Sequence, residues 1–387
     1  MHEVNNLTNK EEKKTDAIFL HMESRPLLNY WPVLNTLAQK STFSTESADR
    51  IRLLFDKLPI HATDNIGIEV PLKEDVREAD ISLSIDPEVD SRVLKSVLFN
   101  IGSNENIIRT FENPVWQRII EFVQLWDDPD SIFNSEIANM WLEFDTGSGN
   151  TSAFTPSVFL GLRSEIDKSI SDERIEWWCS QPFEQLSGYT ISMQMRKNLI
   201  RCIHLMPEDA RITHLAAMVS RSPAQIRFLI DMKSLDIPDY LGALKYGGEH
   251  SRLRETVKRL NELNCGTVLA LNIGEHGIGK KIGIECFCER HSLLTEKEKW
   301  TGILTWLHDK GACTRSSLDM MLSTTGTMEI SPVMQSNTAT NNSNAGVLNE
   351  PANIVWAINH IKVSITPEAP IEAKGYLFVA TYIGNIN

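Results

Sequence analysis

The sequence predicts an α+β fold: a ten-stranded antiparallel barrel with helices outside, built from five helix–hairpin–helix (αββα) repeats. Three observations lead there. Ten short runs alternate apolar and polar residues, the period of a strand with two unlike faces. They fall into five pairs, each joined by a turn rich in Gly, Pro, Asn, Ser or charged residues, as in an antiparallel hairpin. Segments of helical spacing fill the gaps between pairs. A closed barrel is the economical arrangement, because closure removes the edge strands. An open α+β sheet is the alternative, and a pentein-like assembly would need more strands per unit than the chain supplies.

In chain order, residues 1–46 read as a polar tail and a leading helix, and 47–387 as one barrel domain. Ser47–Leu58 is a helix, followed by the first hairpin, Ile66–Val70 with Ile81–Asp86. Helices at Val93–Phe99 and Pro114–Trp126 lead to the second, Trp141–Asp145 with Ser157–Arg163. Glu184–Leu205 contains a helical run before the third, His214–Val219 with Gln225–Asp231. Pro238–Leu244 and Ser251–Leu263 are helices before the fourth, Thr267–Ile273 with Lys281–Phe287. Lys297–Lys310 and Ser316–Leu322 follow as helices. The Ser/Thr/Asn-rich stretch 324–349 is expected as a mobile loop before the fifth hairpin, His360–Ile365 with Ala373–Val379.

Composition narrows the function. The chain has 387 residues, 51 acidic and 38 basic, for a net charge of −13. That is long enough for a sizeable core, and too acidic for the basic footprint nucleic acid requires. No apolar run of ~18 residues exists, so no membrane span is expected. Met1–Asp16 is polar and charged with no apolar stretch of a secretory signal, so a cytoplasmic location is expected. The six cysteines (Cys179, Cys202, Cys265, Cys286, Cys288 and Cys313) lack metal-site spacing and read as free thiols. These patterns assign no oligomeric state.

The strands' two faces differ in chemistry. Ile66, Ile68 and Val70 alternate with Gly67 and Glu69; Ile81, Leu83 and Ile85 with Ser82 and Ser84; Ile226, Phe228 and Ile230 with Gln225 and Arg227. Ile282 and Ile284 alternate with Lys281, Gly283 and Glu285, and Ile361, Val363 and Ile365 with His360, Lys362 and Ser364. In the last strand Lys374, Tyr376 and Phe378 share a face. If the barrel closes, Glu69, Arg227, Glu285, Lys362, Lys374 and Tyr376 point into one cavity. Enclosed charges must be paired or wetted, and a wet polar cavity suits a charged ligand. In an open sheet the same residues would form a solvated face.

Five hairpins inside a ring of helices resemble the ABBA-type aromatic prenyltransferases, the PT-barrel family. Local patterns agree: Ile68-Glu69-Val70, then Ile81-Ser82-Leu83-Ser84-Ile85-Asp86-Pro87; Phe144-Asp145 at the second hairpin; Arg227 on the sixth strand, with Tyr240-Leu241 and Gly247-Gly248 after it. The resemblance spans roughly Ser47 to Tyr382. It implies an enzyme of specialised metabolism, making natural products by moving a prenyl group from an allylic diphosphate to an aromatic or peptide acceptor. The diphosphate is a co-substrate; no cofactor is obligatory, and Mg²⁺ is possible but not required. By resemblance, Glu69 is the acceptor's base, Arg227, Lys362 and Lys374 hold the diphosphate, and Tyr376 shields the allyl cation. His360, Glu285 and Lys281 are further candidates for the cavity. The chain also departs from the family: Asp80, Ser82 and Ser84 stand where the second strand normally carries Arg. Ser157, Phe159 and Gly161 face inward on the fourth strand and Gly283 and Glu285 on the eighth, where Lys and Tyr are usual. Two alternatives therefore stay open. One is a repurposed barrel enzyme that does not use diphosphate, such as a cyclase or peptide-modifying enzyme; the other is a non-catalytic ligand- or leader-peptide-binding protein.

Other motifs carry less. Gly274-Glu275-His276-Gly277-Ile278-Gly279-Lys280 has P-loop spacing, but Lys281 follows where Ser or Thr would bind Mg²⁺, and the run sits in a hairpin turn. Asp127-Asp128-Pro129-Asp130 resembles an aspartate-rich metal box, yet Pro129 favours a turn, and no metal site is expected. No Gly-x-Ser-x-Gly elbow occurs. Trp177-Trp178 reads as core packing.

Overall fold

The alternation written in the sequence becomes a closed sheet in the computed structural model. The structure describes residues 25–40, 42–58, 61–62, 65–74, 77–85, 113–146, 155–220, 225–288, 297–330 and 352–383. The ten barrel strands are β1 (Asn65–Pro71), β2 (Asp80–Ile85), β3 (Ile137–Phe144), β4 (Ser157–Ile166), β5 (Arg211–Ala217), β6 (Ile226–Asp231), β7 (Gly266–Gly274), β8 (Gly277–Phe287), β9 (Ala352–Ile365) and β10 (Glu372–Ile383). Each strand pairs antiparallel with its sequence neighbours, and β10 pairs back with β1 to close the ring. The ten-stranded, helix-wrapped α+β barrel expected from the hairpin rhythm is therefore the fold.

Two expectations meet the structure differently. The stretch 324–349 is not all loop: Gly326–Ile330 forms an outer strand on the first half of β9, with Gly326 opposite Trp356. Its Thr and Met side chains suit strand pairing, which the Ser/Thr/Asn composition of the whole segment hid. The helix expected at Val93–Phe99, the Asp86-Pro87 pair and the tail Met1–Asp16 lie outside the described residues.

Helices cover the outer face. They are α1 (Trp31–Gln39), α2 (Thr45–Lys57), α3 (Pro114–Asp127), α4 (Ile132–Glu136), α5 (Asp172–Trp178), α6 (Gln181–Ser187), α7 (Met193–His204), α8 (Ile237–Ala243), α9 (His250–Glu262), α10 (Lys297–Asp309) and α11 (Arg315–Ser323). The helical run expected within 184–205 is α7, and it is separate from α6 because Gly188 takes a left-handed backbone (φ 72°) that ends α6. Ser192 then caps α7 by accepting from the Met195 amide. Asp128 ends α3, and Ser131 caps α4 by accepting from the Phe133 amide, so the aspartate run is a turn. Glu275 and His276 make the tight β7–β8 turn, whose Gly274 carbonyl accepts from Asn198 on α7 at 2.8 Å.

The core lies between barrel and helices. Ile66, Ile68, Val70, Leu83, Ile230, Ile282, Ile284, Ile361 and Val363 are fully buried, and each such side chain contributes about 1.5–3 kcal/mol. Trp116, Phe122 and Trp126 of α3 pack inward, with Trp116 stacked on Phe144 of β3 at 6.2 Å. Trp178 is also core: its indole N–H donates to Glu136 (3.1 Å), which Arg174 grips through two nitrogens. Because the outer face is apolar, every second residue is left facing the lumen.

Candidate active site in the barrel lumen

Register decides which charges meet. Glu69 on β1 lies opposite Tyr376 on β10 and Asp80 on β2. Lys362 on β9 lies opposite Lys374 on β10 and Glu285 on β8. A shift of register in β9 between Ile358 and His360 brings His360 opposite Tyr376. Two lumen rows result: Glu285, Lys362 and Lys374 in one, and His360, Tyr376, Glu69 and Asp80 in the other.

The acids and bases pair within and between these rows. Lys374 donates to Glu69, and the Tyr376 hydroxyl donates to the other oxygen of the same carboxylate. Asp80 lies 3.6 Å from the Lys374 ammonium and accepts from the Thr146 amide at 2.9 Å. Lys362 donates to Glu285 at 2.9 Å, and His360 Nε2 stands 3.9 Å from the same carboxylate. Gly283 makes room for this pair: a Cβ there would come within 2.6 Å of the Lys362 stem. The His360 ring stacks on Tyr376 with centroids 4.1 Å apart, and Phe287 lies on it at 4.8 Å.

These contacts set the protonation states. Burial alone would raise Glu69, but Lys374, Lys362 and Arg227 outweigh it and hold the carboxyl below its ordinary range. Glu285 is lowered in the same way: burial is outweighed by Lys362, His360 and Arg227. Asp80 goes the other way, pushed up to about 7 by burial and by the neighbouring Glu69 charge. Lys374 is raised, because Glu69 and Asp80 overcome its burial.

The lumen holds two adjoining cavities. One of about 500 Å³ is mostly apolar and aromatic, lined by Trp141, Phe159, Phe287, Trp300 and Phe378 with His214 and His360. Its size is that of a small-molecule site. The other, about 200 Å³, is polar and includes Glu69, Arg227, Lys281, Lys362 and Lys374. Glu143, Lys362 and Tyr376 line both, so the cavities meet along these three side chains. Arg227 donates through Nε to the neutral amide of Asn272 at 2.8 Å and forms no ion pair within 4 Å among the described residues. Its guanidinium stands 6.0 Å over the Phe159 ring.

Every candidate residue named from the sequence lines this lumen. Lys281 does so at the rim, about half exposed and paired with Glu372 at 2.5 Å. Glu143, Asn272, Asp80 and Trp300 are among the site residues that went unassigned. Glu143 shares its face with Asn139 and Trp141, and Asn272 shares its face with Ala270, so strand alternation alone could have found both. Asp80 was visible as an inward residue, but its partner became apparent only with the register. Trp300 comes from α10, and no strand pattern announces it. Among the described residues no group of His, Cys, Asp and Glu could hold a metal ion, and no helix is long and apolar enough to cross a membrane.

This closed ring of five hairpins, helices outside and polar lumen within, is the architecture of the ABBA-type aromatic prenyltransferases. Solved structures like it include the prenyltransferase PriB without ligand: TM-score 0.52, 12% identity, covering 91% of this chain and 96% of that one. The 5-dimethylallyltryptophan synthase of Streptomyces coelicolor is similar at TM-score 0.51 and 11% identity, covering 92% and 98%. PriB in ternary complex with L-tryptophan and dimethylallyl thiolodiphosphate matches at TM-score 0.50 and 11% identity, covering 92% and 96%. At such identities the likeness is one of fold. No family model matches the sequence, and no curated protein does.

Proposed function

We propose that the protein is a prenyltransferase, moving an allylic group from a diphosphate to an aromatic or peptide acceptor inside the barrel. The observation that carries this reading is the division of the lumen. A polar cavity with four basic side chains adjoins a larger aromatic one, and the two meet at Glu143, Lys362 and Tyr376. A prenyl diphosphate has the same division, an anionic head and an apolar tail. PriB, which shares this fold, forms a ternary complex with L-tryptophan and dimethylallyl thiolodiphosphate, which supports the assignment of donor class.

In this reading the diphosphate sits among Arg227, Lys362 and Lys374, with Lys281 at the rim. The bond between the allylic carbon and the diphosphate oxygen breaks, and the electron pair leaves with diphosphate, whose growing charge the basic groups stabilise. Tyr376, Phe159 and Phe287 shield the cation by their ring faces. The acceptor's aromatic carbon or heteroatom then bonds to the allylic carbon, and its proton passes to Glu69. A carboxylate of low pKa suffices, because a protonated arenium carbon is a far stronger acid than any carboxylic acid. Arg227, bonded to the neutral amide of Asn272 and in no ion pair within 4 Å among the described residues, is the first anchor for an incoming anion.

The test is a titration with dimethylallyl, geranyl and farnesyl thiolodiphosphates, read by thermal shift. Saturation at 100 times the dissociation constant adds about 2.7 kcal/mol of stability. Arg227→Ala should lose binding. Glu69→Gln should keep donor binding and lose turnover by about 10²-fold or more. A second reading has its own support: Lys362 and Lys374 are already held by Glu285 and Glu69. A barrel so self-neutralised suits a reaction or a binding role without diphosphate, and no stabilisation by any of the three analogues would favour it.

A further inference from the structure

Asp80 stands out among the lumen groups. It sits on the strand opposite Glu69, and its carboxylate stands 3.6 Å from the same ammonium, Lys374, that Glu69 holds. Its Oδ1 is fixed by the Thr146 amide, which leaves Oδ2 aimed at Lys374. The side chain is only 20% exposed. We propose that Asp80 is a positioning residue of the anion site: with Glu69 it clamps Lys374, and neutralising Asp80 releases Lys374 toward an anionic ligand. The proposal deepens the reading of the polar cavity as a diphosphate site and rests on it for the identity of the ligand.

The physical argument is one of competition. An ammonium between two carboxylates carries no surplus charge for a third anion, whereas one held by a single carboxylate shares its charge more readily. The groups facing Asp80 are Glu69 from β1, Lys374 from β10 and Asp145 just beyond β3, while Glu143 of β3 acts on Lys374. Three of these four are acids, so the pocket resists the ionised form of Asp80. Protonation near neutral pH is then the natural means of opening the clamp. The anion site would be strongest below pH ~7 and weaken above it.

Affinity for inorganic diphosphate, measured by calorimetry on wild type and Asp80→Asn, tests this. Comparing the two proteins at each pH cancels the ligand's own titration. Near pH 8 the variant should bind about fivefold more tightly than wild type, and near pH 5.5 the two should agree. Asp80→Glu should bring the pH dependence back. A purely structural role would change affinity alike at both values, and an equal ratio at both, or weaker binding by the variant at pH 8, overturns the proposal. Labelling of Lys374 by trinitrobenzenesulfonate at pH 8, mapped by mass spectrometry, reads the clamp without diphosphate. It should run several-fold faster in Asp80→Asn, and an unchanged rate overturns the clamp. If neither protein binds diphosphate, the donor reading falls and the labelling still decides the clamp. If Asp80→Asn does not fold, Asp80→Ser, which keeps an acceptor for the Thr146 amide, takes its place.

Discussion

The two walls of the lumen are built on opposite principles. The wall formed by β8, β9, β10, β1 and β2 carries two charged clusters, Glu285 with Lys362 and His360, and Lys374 with Glu69, Asp80 and Tyr376, linked by the His360–Tyr376 stack. The facing wall, β3 to β5, offers Asn139, Trp141, Phe159, Gly161 and Thr213, with Glu143 the acid that lines the cavity there. The first wall holds charge in place; the second offers ring faces and width. A lumen divided in this way can grip a charged group on one side while an apolar one rests against the other.

Breaking the charged wall should have the largest effect. Lys362→Met leaves Glu285 buried without its ammonium, and loss of one partner of a buried pair costs about 3–5 kcal/mol. Denaturant unfolding measures this directly. Replacing both partners, Lys362→Met with Glu285→Leu, should recover most of the loss; if the double variant is no more stable than the single one, the pair is not the source.

The pH dependence of stability sharpens the contrast. Asp80 is raised to about 7 from an ordinary value near 4, so the folded state binds a proton that the unfolded state has lost. Stability from this group falls as pH rises from about 4 to 7 and is flat above. Glu69 and Glu285 are lowered, so their contribution is present above about 4.5 and is lost as pH falls further. Unfolding midpoints should therefore peak near pH 5, and Asp80→Asn should remove the decline toward pH 8, an effect of about 2–3 kcal/mol. A midpoint that rises from pH 5 to 8 contradicts the assignment.

The smallest effect belongs to the rim. Lys281 and Glu372 are both about half exposed, and such pairs contribute about 0–1 kcal/mol. Lys281→Ala should leave the melting temperature nearly unchanged, and a large loss would place Lys281 inside the charged network.

The barrel was readable because its outer face obeys one rule: Ile66, Ile68, Val70, Ile361, Val363 and Ile365 alternate strictly, and helices bury them. Two short helices were not readable, although the seven-residue α8 was. Five-residue α4 and seven-residue α5 rest on caps and on the Arg174–Glu136–Trp178 contact rather than on a long apolar period. Within the site, face was legible and partnership was not. Glu285 looked like a departure from the expected Lys or Tyr, yet the register makes it the counter-charge of Lys362. Asp80, set where the family carries a base, becomes the second carboxylate on Lys374. Alternation says which way a side chain points, whereas its neighbour depends on strand register and on bulges such as that at Ile358 and His360.

The pairing of Glu69 with Lys374 joins residues 305 positions apart and spans the seam where β10 meets β1. Every other junction except β8–β9 is a hairpin or a connection of moderate length, so this seam is the slowest contact for a folding chain to find. Before it forms, β1 and β10 are bare edges and the lumen does not exist. The chemistry of the site and the pairing most distant in sequence thus fall on the same two side chains, and a ligand held there will slow the opening of the seam.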